Sequence, residues 1–581
     1  MKRKPGSKGD RSAFAPLPPL LNADAAIGYH ARFRPDFPGV PDLLRHLDRL
    51  GISRSLVWHT QARDLHPAVG NRRLLADLDA AGRDAERLFP TFVLAPCLFD
   101  EPGAMDTVCD VLRSGRVRGI RLFPGALRHN ASMIEPVIRT VAPYRPAIFL
   151  DVTDGMDFHA VAGYLAPAFP GLSFVILHAM WGPLLPLWDL MRRHRNIAAD
   201  ISWMHTLGTI RAMTDEFGPD RLVFSIGHKS HNGAALASLA HAGLTRAECE
   251  RVAHANLERL LRLPPTPARP APQPLNSFWS RLLAGEPVGE PAPLLDAHAH
   301  LGRRGVHPPR KTPGAVPVVD AHAHLGPMGV WPGHTDSYPD QVRGALALMD
   351  RLGEQTMIVS GLDALFSHPV EGNRLLESEA ARAGGRIRGY LSFNPTYADE
   401  LVPLFDDFFS RPFFVGFKAL CDYWNIPVTD PRFEPMLRYA DRHRLPILYH
   451  TWSGSCDTPA MFDKLAARYP RAFFIMGHSG GVDAGREQAE DLAAAHPNVI
   501  LEWCGSFCSR LPWERTLARL GNRRVVFGTD AMLHDPVWEL GSLLSLDVPE
   551  ETVAPILGEN MLRILDARRG ARRSAPPTRQ G

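Results

Sequence analysis

The sequence predicts an α/β protein of two tandem (β/α)8 TIM-like barrels joined by a proline-rich linker. Three observations carry the prediction. The chain repeats itself once at a period of about 300 residues, the second copy holds eight short β-rich runs separated by helical patterns, and dense proline divides the copies. At 581 residues the chain is too long for one ordinary core, whereas two barrels of about 250 residues account for it.

The repeat is read directly from the residues. "HPAVGNRRLL" from His66 returns as "HPVEGNRLLE" from His368, "LDRLGI" from Leu47 as "MDRLGE" from Met349, and "FVILHAMWG" as "FFIMGHSGG". A domain-sized period means a duplicated fold, not a solenoid. In the second copy the runs are VPVVDAH, QTMIVSG, IRGYLSF, FFVGFKAL, LPILYHT, AFFIMGHS, NVILEWCG and RVVFGTD. Near-continuous apolar runs alternating with amphipathic segments such as "TPAMFDKLAARYP" indicate a parallel sheet covered by helices, and eight units favour a closed barrel.

The expected organisation is a disordered tail at 1–18, a barrel at 19–264, a linker at 265–316, a barrel at 317–568 and a basic disordered tail at 569–581. Proline in "LPPTPARPAPQPL" disfavours helix interiors and central strands, although "SFWSRLLAGEPV" can form one short helix.

Composition narrows the partners. The 65 basic and 62 acidic side chains leave a formal charge of +3, so neither nucleic acid nor an acidic membrane is expected, and a small-molecule substrate is. No apolar segment follows the basic N-terminus and no run of about 18 apolar residues occurs, which gives a cytoplasmic expectation. Seven cysteines without framework spacing read as reduced thiols, including Cys504 and Cys508. The two barrels are expected to pair within the chain, with self-association also open.

Reactive groups of such a barrel belong at the C-terminal ends of its strands. His322 and His324, Lys418, His450, His478 and Asp530 all fall there. Residues two apart on a strand share a face, so His322 and His324 point into one mouth. Three imidazoles and a carboxylate suit a borderline divalent ion such as Zn²⁺, with one position left for water.

From Pro317 to Ala567 the chain resembles the amidohydrolase superfamily, in its amidohydrolase-related (type 2) branch. The resemblance is carried by DAHAHLG, "GFKAL", "LYHTWSG", "MGHSGG", "FGTDA" and "ILGENMLRIL" in order. It implies that His322, His324, His450 and Asp530 hold a single metal and that His478 faces the substrate. The segment "GFKALCD" lacks the branch's usual His-Pro. In physical terms, a bound Zn²⁺ lowers the pKa of its water to about 7, Asp530 accepts the proton, and His478 hydrogen-bonds the developing oxyanion. Lys418 is open between a carbamate bridging two metals, a substrate contact and a buried ion pair. Glu502 is open between a partner orienting a ligand and a buried salt bridge, and Trp452 is a candidate substrate contact.

The first copy lacks this set. Asp24 and Ala26 stand for the two strand-one histidines, Asp151 for the strand-five histidine, Arg121 for the lysine and Gly227 for the aspartate, while His178 is kept. Residues 19–264 resemble a metal-free subgroup of the same superfamily through "VRGIRLFP" and "LVWHTQARDLHPAVGN". A non-catalytic domain is expected there, with Arg121 and His178 as a carboxylate-binding pair the alternative; His228 and His231 in "GHKSHN" are read as solvated loop residues, with a replacement metal site the alternative.

DAHAHLG occurs twice, at Asp296–Gly302 and Asp320–Gly326. Only the second lies at the right distance from the glycine of "MDRLG", so His298 and His300 are read as linker residues. The expected activity is hydrolysis of an amide, ester or lactone. Non-oxidative decarboxylation of an aromatic or enoic acid and a non-catalytic scaffold are the alternatives. Trp331, Tyr338, Tyr423, Trp424 and Trp452 suggest a ring-bearing substrate.

Overall fold

A computed structural model of the chain describes residues 16–30, 35–154, 157–180, 182–228, 232–268, 275–289, 316–328, 337–482, 484–505 and 510–574, with side chains to 567. The upstream DAHAHLG copy with His298 and His300, together with His231, Trp331 and Cys508, lies outside the described residues. Two compact units are present, Met1–Leu275 and Asn276–Gly581, and the division falls inside the proline-rich stretch. The helix Ser277–Ala284 belongs to the second unit, where the Asn276 side-chain amide donates to the Leu544 carbonyl at 2.8 Å.

Each unit is a parallel-stranded α/β barrel. In the second, the strands run Val319–Leu325, Thr356–Gly361, Ile387–Ser392, Phe414–Ala419, Pro446–His450, Phe473–Gly477, Val499–Trp503 and Val525–Phe527. Neighbours in sequence are neighbours in the sheet. The eight strands coincide with the eight runs read from the sequence. The ring closes through a parallel bridge between Ala323 and Ala531, just past the eighth strand. In the first unit Leu21–Asn22 and Ala26–Ile27 share the place of strand one, and the last strand is Leu222–Val223.

Apolar residues from strands right around each barrel form one layer. In the second unit Val319, Ile358, Tyr390, Val415, Leu448, Ile475, Ile500 and Val526 pack with Met561 and Ile564 of the last helix. In the first, Leu21, Leu56, Phe149, Val175, Ala198 and Val223 pack with Leu257 and Leu261. This burial supplies the main driving force, about 25 cal/mol per Å² removed from water.

The repeated motifs are structural staples. In "GN" of the first barrel, Asn71 donates to the Val93 carbonyl at 2.8 Å and accepts from the Val93 N–H at 3.0 Å. Asn373 does the same to both backbone groups of Ser392, at 3.0 Å each. The glycine before each asparagine lets two helices touch: a Cβ at Gly70 would lie 2.0 Å from Ala62 N, and one at Gly372 2.3 Å from Ala364 N. Farther along, the amides of Asn196 and Asn498 each donate to three carbonyls that close the preceding helix–strand connection.

No helix among the described residues is long and apolar enough to cross a membrane. The six described cysteines form no disulfide.

Because Asn373 satisfies two buried backbone groups at once, Asn373→Ala leaves both unpaired, at roughly 1–3 kcal/mol each. The second barrel of that variant is expected to unfold at clearly lower denaturant than the parent, as followed by circular dichroism.

Candidate functional site

Closure of the second barrel assembles its mouth. The pairing of strand one with strand two shifts register between Asp320 and Ala323, a bulge of the kind that re-aims side chains. Asp320 accepts from the His322 N–H at 3.0 Å, from the Thr529 N–H at 3.1 Å and from the Thr529 hydroxyl at 2.5 Å. The Asp530 N–H donates to the His322 carbonyl at 2.7 Å. Strand one and the end of strand eight are thereby locked side by side, and the Asp530 carboxylate meets both histidines: its Oδ1 lies 2.9 Å from His324 Nε2 and 3.7 Å from His322 Nε2.

Two turn geometries aim the remaining groups. His478 and Asp530 have left-handed backbone, φ 61° and 59°, a conformation uncommon for residues other than glycine and concentrated at functional sites. The ring of His478 lies 5.1 Å from that of His322 and 5.0 Å from that of His450. His450 is held by Asp457, whose Oδ2 is 3.2 Å from its Nδ1, which leaves Nε2 as the ring's other ligand atom. Lys418, fully buried, brings its Nζ to 2.8 Å from His322 Nε2. The opposite ring nitrogen of His322 lies 3.3 Å from Glu502 Oε2, and the same oxygen accepts the His478 N–H at 2.9 Å.

Electrostatics follow from burial. Burial, reinforced by the Lys418 charge, holds His322 well below the usual imidazole range and His450 at about 4. Burial and the neighbouring His450 bring His478 to about 3. All three rings are therefore neutral near pH 7, the form a metal requires. Burial pushes Asp530 upward, but the hydrogen bond from His324 and the surrounding imidazoles overcome it and keep the carboxylate well below its ordinary value. Burial lowers Lys418 to about 8.

Two sets of side chains in this mouth have ligand atoms close enough to share an ion: His322, His324 and Asp530, and His322, His478, Glu502 and Cys504. His324 Nδ1 is buried without a hydrogen-bond partner, so Asp530 is that ring's one described polar contact. The expected His322, His324 and Asp530 thus converge. His450 stands across the mouth and belongs to neither set. Lys418 contacts an imidazole, not an acid and not open solvent. Glu502 Oε2 meets both the His322 ring and the His478 N–H.

Sequence reading missed Asp320, Asp457, Cys504 and His534. His534 is buried with Nδ1 3.7 Å from Asp530 Oδ2, and Cys504 Sγ lies 3.7 Å from His478 Nδ1. Asp320 carried a signal, as the first residue of DAHAHLG, whereas the others lie in loops or behind apolar runs. Of the aromatic residues expected in the mouth, Tyr423 packs edge-on against His450 at 5.2 Å and Trp452 stacks on it at 6.2 Å. Tyr338 packs instead: it is buried, its hydroxyl donating to Asp363 at 2.6 Å.

The first barrel's mouth also departs from expectation. Arg121 and His178 are buried and both pair with Asp24, at 2.8 and 3.0 Å, so neither is presented to a ligand carboxylate from solvent. His228 is not a solvated loop residue: its side chain is 5 % exposed and its Nδ1 lies 2.7 Å from Asp24 Oδ2. The same carboxylate draws it inward that its sequence neighbours gave no reason to expect.

A parallel barrel with histidines and a carboxylate at the strand ends defines a metal-capable (β/α)8 protein. Residues 319–567 match the family model described as amidohydrolase. Among solved structures, the chain is similar to 2,6-dihydroxybenzoate decarboxylase from Rhizobium, at 15 % identity over 43 % of this chain and 99 % of that one, TM-score 0.35. It is also similar to a dihydroxybenzoic acid decarboxylase from Polaromonas sp. with bound manganese, at 15 % identity over 43 % and 97 %, TM-score 0.34. A third is a probable 2-pyrone-4,6-dicarboxylic acid hydrolase from Acinetobacter baumannii, at 13 % identity over 43 % and 99 %, TM-score 0.34. A comparison with curated proteins gives no match.

Partners that orient a ligating histidine typically contribute 10–100-fold to metal affinity. Asp457→Ala, which releases His450 Nδ1, is expected to weaken divalent-ion retention by about that factor, read by competition with a chromogenic chelator.

Proposed function

We propose that the second barrel is a metal-dependent hydrolase acting on an amide, ester or lactone of a small molecule. The observation that carries this reading is the convergence of His322, His324 and Asp530 at the closing seam, where burial keeps the His322, His450 and His478 rings neutral and the Asp530 carboxylate stays ionised. Neutral nitrogens and a single carboxylate are the donor chemistry of Zn²⁺ and related divalent ions. His322, His324 and Asp530 would hold the ion, with His450 completing the set. An ion there supplies Lewis-acid charge and a water acidified toward neutral pH.

The chain's own groups supply the rest. Asp530, kept ionised and touching His324, is the base that accepts the water proton at a carboxylate oxygen. His478 is neutral and has its Nδ1 3.1 Å from the Cys504 carbonyl, so Nδ1 carries the donor hydrogen there and Nε2 is an acceptor toward the mouth. In that tautomer His478 orients the attacking water or a substrate hydroxyl, and stabilises an oxyanion only after taking up a proton. Lys418 places positive charge beside His322, where it assists a developing negative charge. Tyr423 and Trp452, flanking His450, form an apolar wall for the substrate. The first barrel, with a glycine at the Asp530 position, is read as non-catalytic.

A second reading, non-oxidative decarboxylation, is favoured by that aromatic wall, since it suits a flat aryl acid. Product analysis separates the two: carbon dioxide from an aryl or enoic acid supports the second, and water added across a carbonyl supports the first. Removal of metal by chelation is expected to abolish turnover and re-addition of a divalent ion to restore it. Asp530→Asn is expected to lower kcat by about 10²–10⁴ in a folded protein, and a variant that keeps parental turnover would overturn the assignment.

A further inference from the structure

The mouth of the first barrel holds a closed ring of alternating carboxylates and imidazoles. Asp24 Oδ2 lies 3.0 Å from His178 Nε2 and 2.7 Å from His228 Nδ1, while Asp151 lies 3.0 Å from His178 Nδ1 and 3.5 Å from His228 Nε2. The two rings meet edge to face, 4.8 Å apart. Asp24 and His178 are fully buried and Asp151 is 2 % exposed. We propose that this ring is a second divalent-cation site, independent of the one in the other barrel, in which Asp24 Oδ2, His178 Nε2 and a nitrogen of His228 hold an ion such as Zn²⁺.

Geometry supports it first. A tetrahedral ion with ligand bonds near 2.0–2.1 Å sets its donors about 3.3 Å apart. The donors at Asp24 stand a few tenths of an ångström inside that spacing, so an ion enters with small side-chain shifts. The other oxygen of Asp24 is already fixed, accepting from Trp58 Nε1 at 3.2 Å and pairing with Arg121 at 2.8 Å, which orients Oδ2 toward the rings. Asp151 against His178 Nδ1 is the carboxylate–histidine pair that turns the opposite nitrogen of a ring toward a metal. Among the described residues, the polar neighbours of His178 Nε2 and His228 Nε2 are the Asp24 and Asp151 carboxylates, at 3.0 and 3.5 Å.

Charge supports it second. Asp24, Asp151 and Asp200 are buried around one guanidinium, Arg121. A buried excess of negative charge needs a positive partner.

The site is also a rearrangement of the other barrel's. There, the strand-one side contributes His324 and the strand-eight side Asp530, 2.9 Å apart. Here strand one contributes Asp24, and the residue after Gly227 contributes His228. Gly227 has φ 69° against 59° at Asp530, and a Cβ on it would lie 2.9 Å from His178 Nε2. The turn is kept, its side chain is gone, and the next residue delivers the ligand. Burial on all sides makes this a structural site, closed to substrate.

The test uses the full chain, stripped with chelator, equilibrated with Zn²⁺, desalted and analysed for metal. The parent is expected to hold about two ions per chain, and His228→Ala and the double variant His322→Ala/Asp530→Asn about one each. Zn²⁺ is also expected to raise the thermal unfolding temperature of the double variant, as a ligand of the native state does. A double variant that takes up no ion, or a folded His228→Ala that holds as many as the parent, overturns the proposal. Should His228→Ala fail to fold, Asp151→Asn in the double-variant background decides: an apparent Zn²⁺ affinity lowered about 10–100-fold supports the site, and an unchanged affinity overturns it.

Discussion

The arrangement depends on the seam where strand one meets strand eight. Eight strands hydrogen-bonded in sequence order bring the two ends of the sheet together, and a single buried carboxylate, Asp320, fastens them by accepting from the His322 and Thr529 backbone and the Thr529 hydroxyl. With the Asp530 N–H bonded to the His322 carbonyl and the bridge between Ala323 and Ala531, this fastening makes His324 and Asp530 neighbours. In the first barrel Asn22 does equivalent work, accepting from the N–H groups of Asp24 and Ile226. The amide can take the carboxylate's place because the partners that matter are donors.

Two barrels with the same frame therefore carry different mouths. The frame is set by the asparagine staples, the glycines where helices touch and the apolar layers, which recur in both halves. The mouths are set by a handful of side chains on left-handed turns. His178 and His478 share that backbone, φ 60° and 61°, yet burial drives His478 neutral while His178 lies between the Asp24 and Asp151 carboxylates, 3.0 Å from each.

Much of this was legible in the sequence because periodicity and repetition report on the backbone. The eight runs of the second half are its eight strands, and the residues following them do line one mouth. His322, His324 and Asp530 were readable because the two histidines alternate along the second half of strand one and Asp530 follows strand eight by three residues. Asp457 was not, because it lies in a loop after strand five and meets His450 only through the path of that loop. His228 was misread for a related reason: "GHKSHN" has the composition of a turn, and only the buried Asp24 carboxylate, 204 residues earlier, explains why the ring faces inward.

The spacing of these contacts along the chain also sets the order in which the molecule can form. The asparagine staples span 19 to 32 residues, so each tie can close soon after its segment is synthesised, at little entropic expense. The Asp320–Thr529 contact spans 209 residues and must await every strand between. His322, His324 and Asp530 are divided across that last junction, so the candidate ion-holding set comes together only when the ring is whole.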